Sequence, residues 1–287
     1  MPAASDLPRW FRMADSAPSP EAGSSDQPFR VLTVCTMNIC RSPAMEVSLQ
    51  AAVERCGPTA PMVEVSSAGT HATPGAPSCD ISLAHVGCNS REQTARELTG
   101  GVLAGADLII TAERKHANAV ASIDPTYGSL AFPVRAVARL ATWVVTQGCL
   151  EVGVRKAAGE QIERNFEDPA SLATALPTGD TARLRWLVEQ CDGARGLVPS
   201  PPATKLPYGV DDIPDPHVLG FNLHEMSAEM ITAAIAELTA AATAVLAATA
   251  RGCSFPRRRC RRRCWAERRP ADRSRGAAQP EQLNAPR

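Results

Sequence analysis

One stretch of this chain constrains its fold more than any other. Arg30 to Cys35 (R-V-L-T-V-C) is a short β-branched apolar run that breaks off into a loop and then into a helical signal. Such a run reads as a buried strand. Ser42-Pro43 supplies an N-cap residue followed by proline at the first helical position, and Met45, Leu49, Ala52, Val53 and Cys56 then fall on one helical face. Strand, tight loop and helix form the opening unit of an open α/β sheet.

The rest of the chain repeats the theme. Met62 to Ser67 reads as a second strand, Asp107 to Thr111 as a third and Ala131 to Val134 as a short fourth, with helical stretches between them. The alternation predicts an α/β fold: a four-stranded parallel sheet with helices on both faces and an anion-binding loop after the first strand. Residues 135–205 read as a mainly helical insertion, broken at Gly148, Asp168-Pro169 and Pro177-Thr178-Gly179. The last periodic segment starts near Asn222, with Glu225 as its capping-box partner. It sets Ile231, Ile235, Leu238, Ala242 and Val245 on one side of a long helix.

Charge marks the boundaries. The formal net charge of zero is a cancellation: residues 251–287 hold 12 Arg against Glu267, Asp272 and Glu281, a net +9, so residues 1–250 carry −9. We read residues 29–250 as the folded domain, flanked by a Pro- and Ser-rich disordered arm (1–28) and an Arg-rich disordered tail (251–287). Arg257–Arg259 and Arg261–Arg263 would suit an acidic partner or nucleic acid. No uninterrupted apolar run approaches the roughly 18–20 residues that cross a bilayer, and the start lacks a basic segment followed by an apolar one. A cytoplasmic protein with no membrane span is therefore expected. Ten cysteines scattered through 287 residues make no disulfide scaffold, so a functional cysteine has to be recognised by its surroundings.

Cys35 has such surroundings. In Cys35-Thr36-Met37-Asn38-Ile39-Cys40-Arg41-Ser42-Pro43, five residues separate Cys35 from Arg41 on a loop that leaves a strand and enters a helix. A tight loop there points successive N–H groups at one spot, and the helix N-terminus adds its positive end, so a tetrahedral oxyanion fits. The same field favours the Cys35 thiolate, the nucleophilic form. Arg41 offers a planar fork to two phosphoryl oxygens.

These residues resemble the low-molecular-weight protein tyrosine phosphatases, which carry C-x-G-N-x-C-R-S-P after their first strand. Ser67-Ala68-Gly69-Thr70, Asp107-Leu108-Ile109-Ile110 and Asp212-Ile213-Pro214-Asp215-Pro216 extend the resemblance over roughly residues 30–250. The resemblance implies a hydrolase for phosphorylated proteins or small phosphomonoesters, acting through a cysteinyl-phosphate intermediate. Cys35 would be the nucleophile, Arg41 the phosphate-binding cation and Asp215 the general acid and base. Thr36, Met37, Asn38, Ile39, Cys40 and Ser42 would form the binding loop, with Ser42 on the thiolate and Asn38 bracing the turn. Cys40 would be a redox partner for Cys35, shielding it as a disulfide. No metal or cofactor is implied.

The departures are local. Met37 stands where the family has glycine, Gln93-Thr94-Ala95-Arg96 stands for H-x-A-R, His217 follows the Asp-Pro pair, and no aromatic follows Thr70. At Met37 a positive φ would strain the loop, whereas any other φ would put the side chain on the pocket rim. Asp211 and Asp212 compete with Asp215 as acids, but neither precedes proline. His71, His85, His116, His217 and His224 show no metal-ligand spacing and read as structural. Two other activities stay open: a thiol-dependent arsenate reductase, using Cys79 and Cys88 as resolving thiols, and a non-catalytic phosphate- or phosphoprotein-binding module.

Overall fold

Strand β1 (Phe29–Cys35) is the centre of the molecule. Its side chains alternate between two apolar clusters: Phe29, Val31 and Cys35 join the larger one, Leu32 and Val34 the smaller. A strand covered on both faces reads as a continuous apolar run, as R-V-L-T-V-C does. The computed structural model describes residues 27–57, 61–88, 93–199, 201–202, 206–220 and 222–248. The expected arm up to residue 26 and the Arg-rich tail lie outside the described residues.

The four strands are parallel, in the order β2-β1-β3-β4, with β2 at Val63–Gly69, β3 at Leu108–Thr111 and β4 at Ala131–Pro133. Strand β2 runs beyond Ser67 because Ala68 and Gly69 still pair with Val34 and Cys35. The helices are α1 (Arg41–Arg55), α2 (Asp80–His85), α3 (Gly100–Leu103), α4 (Arg114–Ile123), α5 (Val134–Thr146), α6 (Cys149–Ala157), α7 (Asp180–Gly193), α8 (Pro216–Leu219) and α9 (Leu223–Ala247). The mainly helical stretch from residue 135 belongs to the core: Leu184, Trp186, Leu187 and Cys191 of α7 are buried in the larger cluster.

Two sequence expectations need correction, and one helix bears on a third. Helix α1 begins at Arg41 with Cys40 as N-cap, because the Ser42 hydroxyl is engaged with Cys35 and Ala68. Asn222 precedes α9 but makes no cap: at φ −65° and ψ −8° it is already helical, whereas a capping side chain reaches back from an extended residue. Helix α9 has 25 residues and an 18-residue stretch with a mean hydropathy of 1.8, so it is long and apolar enough to cross a membrane by length and composition. Its acids interrupt the apolar run without lowering the average enough to exclude it. In this fold Ile231, Ile235, Leu238 and Val245 are buried, and the helix packs on α5 and α1.

Candidate active site

With β2 on one side of β1 and β3 on the other, the sheet changes its direction of growth at β1. In open α/β sheets the crevice beyond the carboxyl ends of such strands takes ligands. Two turns meet there: residues 36–40 after β1, and Ala112-Glu113 after β3.

Cys35 is buried, and its Sγ accepts hydrogen bonds from Ser42 Oγ at 3.0 Å and from the Asn38 N–H at 3.3 Å. The loop turns through Asn38, whose φ of 55° is the one positive value outside glycine among the described residues. Asparagine tolerates that region better than most residues. Met37 is thus free of the left-handed conformation and sits at the rim, 39% exposed.

The Asn38 carboxamide ties the loop to its surroundings. Nδ2 donates to Ser42 Oγ (2.9 Å) and Ser67 Oγ (2.8 Å), while Oδ1 accepts from the Arg96 N–H (2.8 Å). Gln93, which stands at the histidine position of H-x-A-R, takes no part in these bonds, and its Oε1 is buried without a hydrogen-bond partner among the described residues. The glycine of Ser67-Ala68-Gly69-Thr70 has a plain steric reason. A Cβ on Gly69 would lie 2.7 Å from both the Thr36 carbonyl oxygen and the Asn38 nitrogen.

Arg41 is 2% exposed and spans the crevice. Nη1 donates to Glu113 Oε1 (2.5 Å) and to the Ile213 carbonyl (3.0 Å); Nη2 donates to Thr36 Oγ1 (3.4 Å) and to Asp215 Oδ2. Burial alone would lower the Arg41 pKa, but Cys35, Asp215 and Glu113 together hold it above its ordinary value. The residue is a permanent cation. For Glu113, burial works to raise the pKa, and bonds from Arg41 and Lys115 outweigh it, holding the carboxyl below its usual range.

Glu113 and His116 belong to the site although no motif in the sequence singled them out. The Glu113 N–H donates to His116 Nδ1 (3.1 Å), which places the ring proton on Nε2, facing Thr36 Oγ1 at 2.9 Å. Burial first, then the Arg41 charge, pulls the His116 pKa down to about 3, so the ring is neutral. Accepting from His116 and Arg41, the Thr36 hydroxyl keeps its own proton to donate. One signal could have found Glu113: it follows the third strand directly, at the edge of the crevice.

Of three nearby aspartates, Asp215 is the one that meets Arg41. It caps α8, with Oδ1 accepting from the His217 N–H at 3.1 Å. Asp211 is buried against Arg139 (2.5 Å), and Asp212 accepts from the N–H groups of Arg114 (2.8 Å) and Gly209 (3.0 Å). Cys40 is buried, with Sγ 2.6 Å from Ser82 Oγ. Its hydrogen bond to Cys79, together with burial, pushes its pKa up; the same bond pulls Cys79 down to about 3. The Ile39 carbonyl accepts from the Cys79 N–H at 2.5 Å, tying the loop to the start of α2.

The described low molecular weight phosphotyrosine protein phosphatase family matches residues 30–148. Over 165 residues the chain is 33% identical to the low molecular weight protein-tyrosine-phosphatase of Streptomyces coelicolor, which spans 56% of this chain and 96% of that protein. The chain belongs to the low molecular weight protein-tyrosine-phosphatase family. It is also 35% identical over 100 residues to the probable low molecular weight protein-tyrosine-phosphatase AmsI of Erwinia amylovora, covering 33% of this chain and 64% of that relative's length. Among solved structures it is similar to the Erwinia amylovora tyrosine phosphatase AmsI (TM-score 0.43, 17% identity, 75% of this chain and 93% of that one). A YwlE mutant from Bacillus subtilis is similar at a TM-score of 0.44 and 16% identity, over 74% of this chain and 97% of that one. In this family member the residues between Cys35 and Ser42 follow the end of β1, and Asp215 meets Arg41 from a segment far along the chain.

Proposed function

We propose that the chain is a cysteine-dependent phosphomonoesterase whose substrate is protein phosphotyrosine. The observation that carries this reading is the buried Arg41 guanidinium, which joins the Cys35 loop to Asp215. In this reading Cys35, Arg41 and Asp215 serve as nucleophile, cation and acid of one crevice.

The phosphoryl group approaches the Cys35 thiolate in line. Nη1 of Arg41 is committed to Glu113 and Ile213, so the Nε–Nη2 edge receives the phosphoryl oxygens, together with the loop amides and the Thr36 hydroxyl. The incoming dianion competes with Asp215 for Nη2 and releases its carboxyl. As the S–P bond forms and the P–O bond breaks, protonated Asp215 gives its proton to the leaving oxygen. The resulting carboxylate then takes a proton from water, whose oxygen attacks phosphorus. The P–S bond breaks, inorganic phosphate leaves and the Cys35 thiolate returns, stabilised by Ser42 and Asn38. A reducing compartment such as the cytoplasm keeps that sulfur available.

The test is hydrolysis of an aryl phosphate by the reduced full chain at mildly acidic pH. Cys35→Ser should fall to background, and Asp215→Asn should lose about 10²–10⁴-fold in kcat. Turnover by Cys35→Ser at the wild-type rate would overturn the mechanism. Peptides carrying phosphotyrosine, phosphoserine or phosphoarginine, compared by kcat/KM, test the substrate class.

A further inference from the structure

Beside the phosphate loop, four side chains from four separate segments converge. Cys40 Sγ, Cys79 Sγ and a ring nitrogen from each of His217 and His224 all lie within 4.8 Å of one another. Cys40 closes the loop after β1, Cys79 precedes α2, His217 is in α8 and His224 is in the first turn of α9. Cys40 and His224 are buried, Cys79 is half-buried and His217 is exposed. Cys79 Sγ is 3.6 Å from His224 Nε2, and the two imidazoles meet edge to face with centroids 5.1 Å apart.

Two thiolates and two neutral imidazoles are the donor set of tetrahedral zinc, while hard cations such as Mg²⁺ and Ca²⁺ want oxygen. Bonds of about 2.3 Å to sulfur and about 2.0–2.1 Å to nitrogen give a tetrahedron with edges of roughly 3.3–3.8 Å. The Cys79–His224 edge already has that length. Even an edge at the 4.8 Å limit needs to close by only about 1–1.5 Å, a shift that side-chain rotation provides. We propose that Cys40, Cys79, His217 and His224 form a Cys₂His₂ site for Zn²⁺. Binding forms two Zn–S and two Zn–N bonds, displaces to solvent whatever proton the sulfurs still carry and leaves a unit of zero net charge, one Zn²⁺ with two thiolates and two neutral imidazoles.

Four protein ligands leave no open position, so the ion is a structural clamp. Ser82 Oγ, 2.6 Å from Cys40 Sγ, is its outer-sphere partner. The clamp joins elements that the backbone holds apart. His217 lies two residues beyond Asp215 and donates its N–H to that carboxylate. The ion therefore fixes the Asp215 segment against the loop that carries Cys35 and Arg41. Ligation also withdraws the Cys40 thiol from any disulfide with Cys35.

The test loads the metal-stripped, reduced full chain with Co²⁺ and then with Zn²⁺. One equivalent of Co²⁺ should give the intense visible absorption of a tetrahedral ion with thiolate-to-metal charge transfer, and Zn²⁺ should erase it. Cys79→Ser and His224→Ala should each weaken Zn²⁺ affinity by more than about 100-fold, beyond the usual loss from an outer-sphere change. Cys56→Ser, on an exposed thiol at the end of α1, should leave it unchanged. A weak six-coordinate Co²⁺ spectrum, or equal Zn²⁺ affinity in all three variants, overturns the site. Should near-UV circular dichroism show a variant unfolded, alkylation of the wild type decides. Zn²⁺ must protect Cys40 and Cys79 from iodoacetamide, and modification of both in its presence rejects the proposal.

Discussion

The loop of residues 36–41 and the segment of residues 209–217 meet at one guanidinium but are held in different ways. The loop is built locally: Asn38 turns it, Ser42 and Asn38 bond to Cys35, and Gly69 lets the β2 backbone pack beneath it. The segment has only a short turn at Gly209–Asp212 and the Asp215 cap of α8 as local structure. It is docked by long-range bonds: Arg139 on Asp211, Arg135 on the Val210 carbonyl, the Ile213 N–H on the Ala112 carbonyl (2.7 Å) and Ser227 on the Pro214 carbonyl (2.9 Å). The Cys35 sulfur is therefore bonded by residues close to it in sequence, and Asp215 is carried by a segment whose partners are scattered over the fold.

Replacing the residue the two regions share should have the largest effect. Arg41→Lys keeps the charge but loses the fork that reaches Glu113, Ile213 and Asp215 together, and kcat/KM for an aryl phosphate should fall about 10²–10³-fold or more. The next pair separates the regions. Gly69→Ala overpacks the loop and should cost about 1–3 kcal/mol in urea unfolding. Arg139→Gln leaves Asp211 buried without its ion pair and should cost a similar amount, about 1–3 kcal/mol. Both should slow turnover, but only Gly69→Ala should also weaken phosphate as a competitive inhibitor. Equal inhibition constants in the two variants would remove the distinction between a local loop and a docked segment.

A pH series probes the support beneath the loop. His116 has its pKa lowered to about 3, against an unfolded value near 6.5. Below about pH 6.5 the unfolded state takes up a proton that the folded state does not, so stability falls with pH down to the folded value. Between pH 7 and pH 5 this one group should remove about 2 kcal/mol, and His116→Gln should flatten that fall by the same amount in urea melts. Glu113 acts in a lower window. Its carboxyl is held below the ordinary range, so its contribution is present above that range and is lost as pH falls through the depressed value. The smallest effect is expected at the rim, where Met37→Gly should change stability by less than about 1 kcal/mol, since Met37 has no positive φ to relieve and is partly exposed.

Much of this was legible before any coordinate. The central strand could be read from one apolar run, because burial on both faces demands it. Cys35, Arg41 and Ser42 could be read from their spacing, because a loop between a parallel strand and its helix has few residues with which to build an anion site. The proline after Asp215 set it apart from Asp211 and Asp212, and Asp215 is the one of the three that meets Arg41, the other two being engaged with Arg139 and with the Arg114 and Gly209 N–H groups. The start of α1 was misplaced because the Ser42 hydroxyl serves the Cys35 sulfur rather than the helix end.

By itself, then, the sequence determined the strand–loop–helix unit, the parallel sheet and the loop that carries Cys35 and Arg41. These depend on periodicity and on residues within one turn of each other, where backbone geometry leaves few choices. Only the tertiary structure decided that Glu113 and His116 stand under Arg41 and Thr36. It alone decided that Gly69 is the floor of the loop, and that Cys40, Cys79, His217 and His224 share one small volume. Those juxtapositions follow from the order β2-β1-β3-β4 and from the packing of α8 and α9 beside the sheet. Spacing along a chain carries no trace of a meeting between residues 40 and 224. It arises only when separate segments are folded onto the same end of one strand.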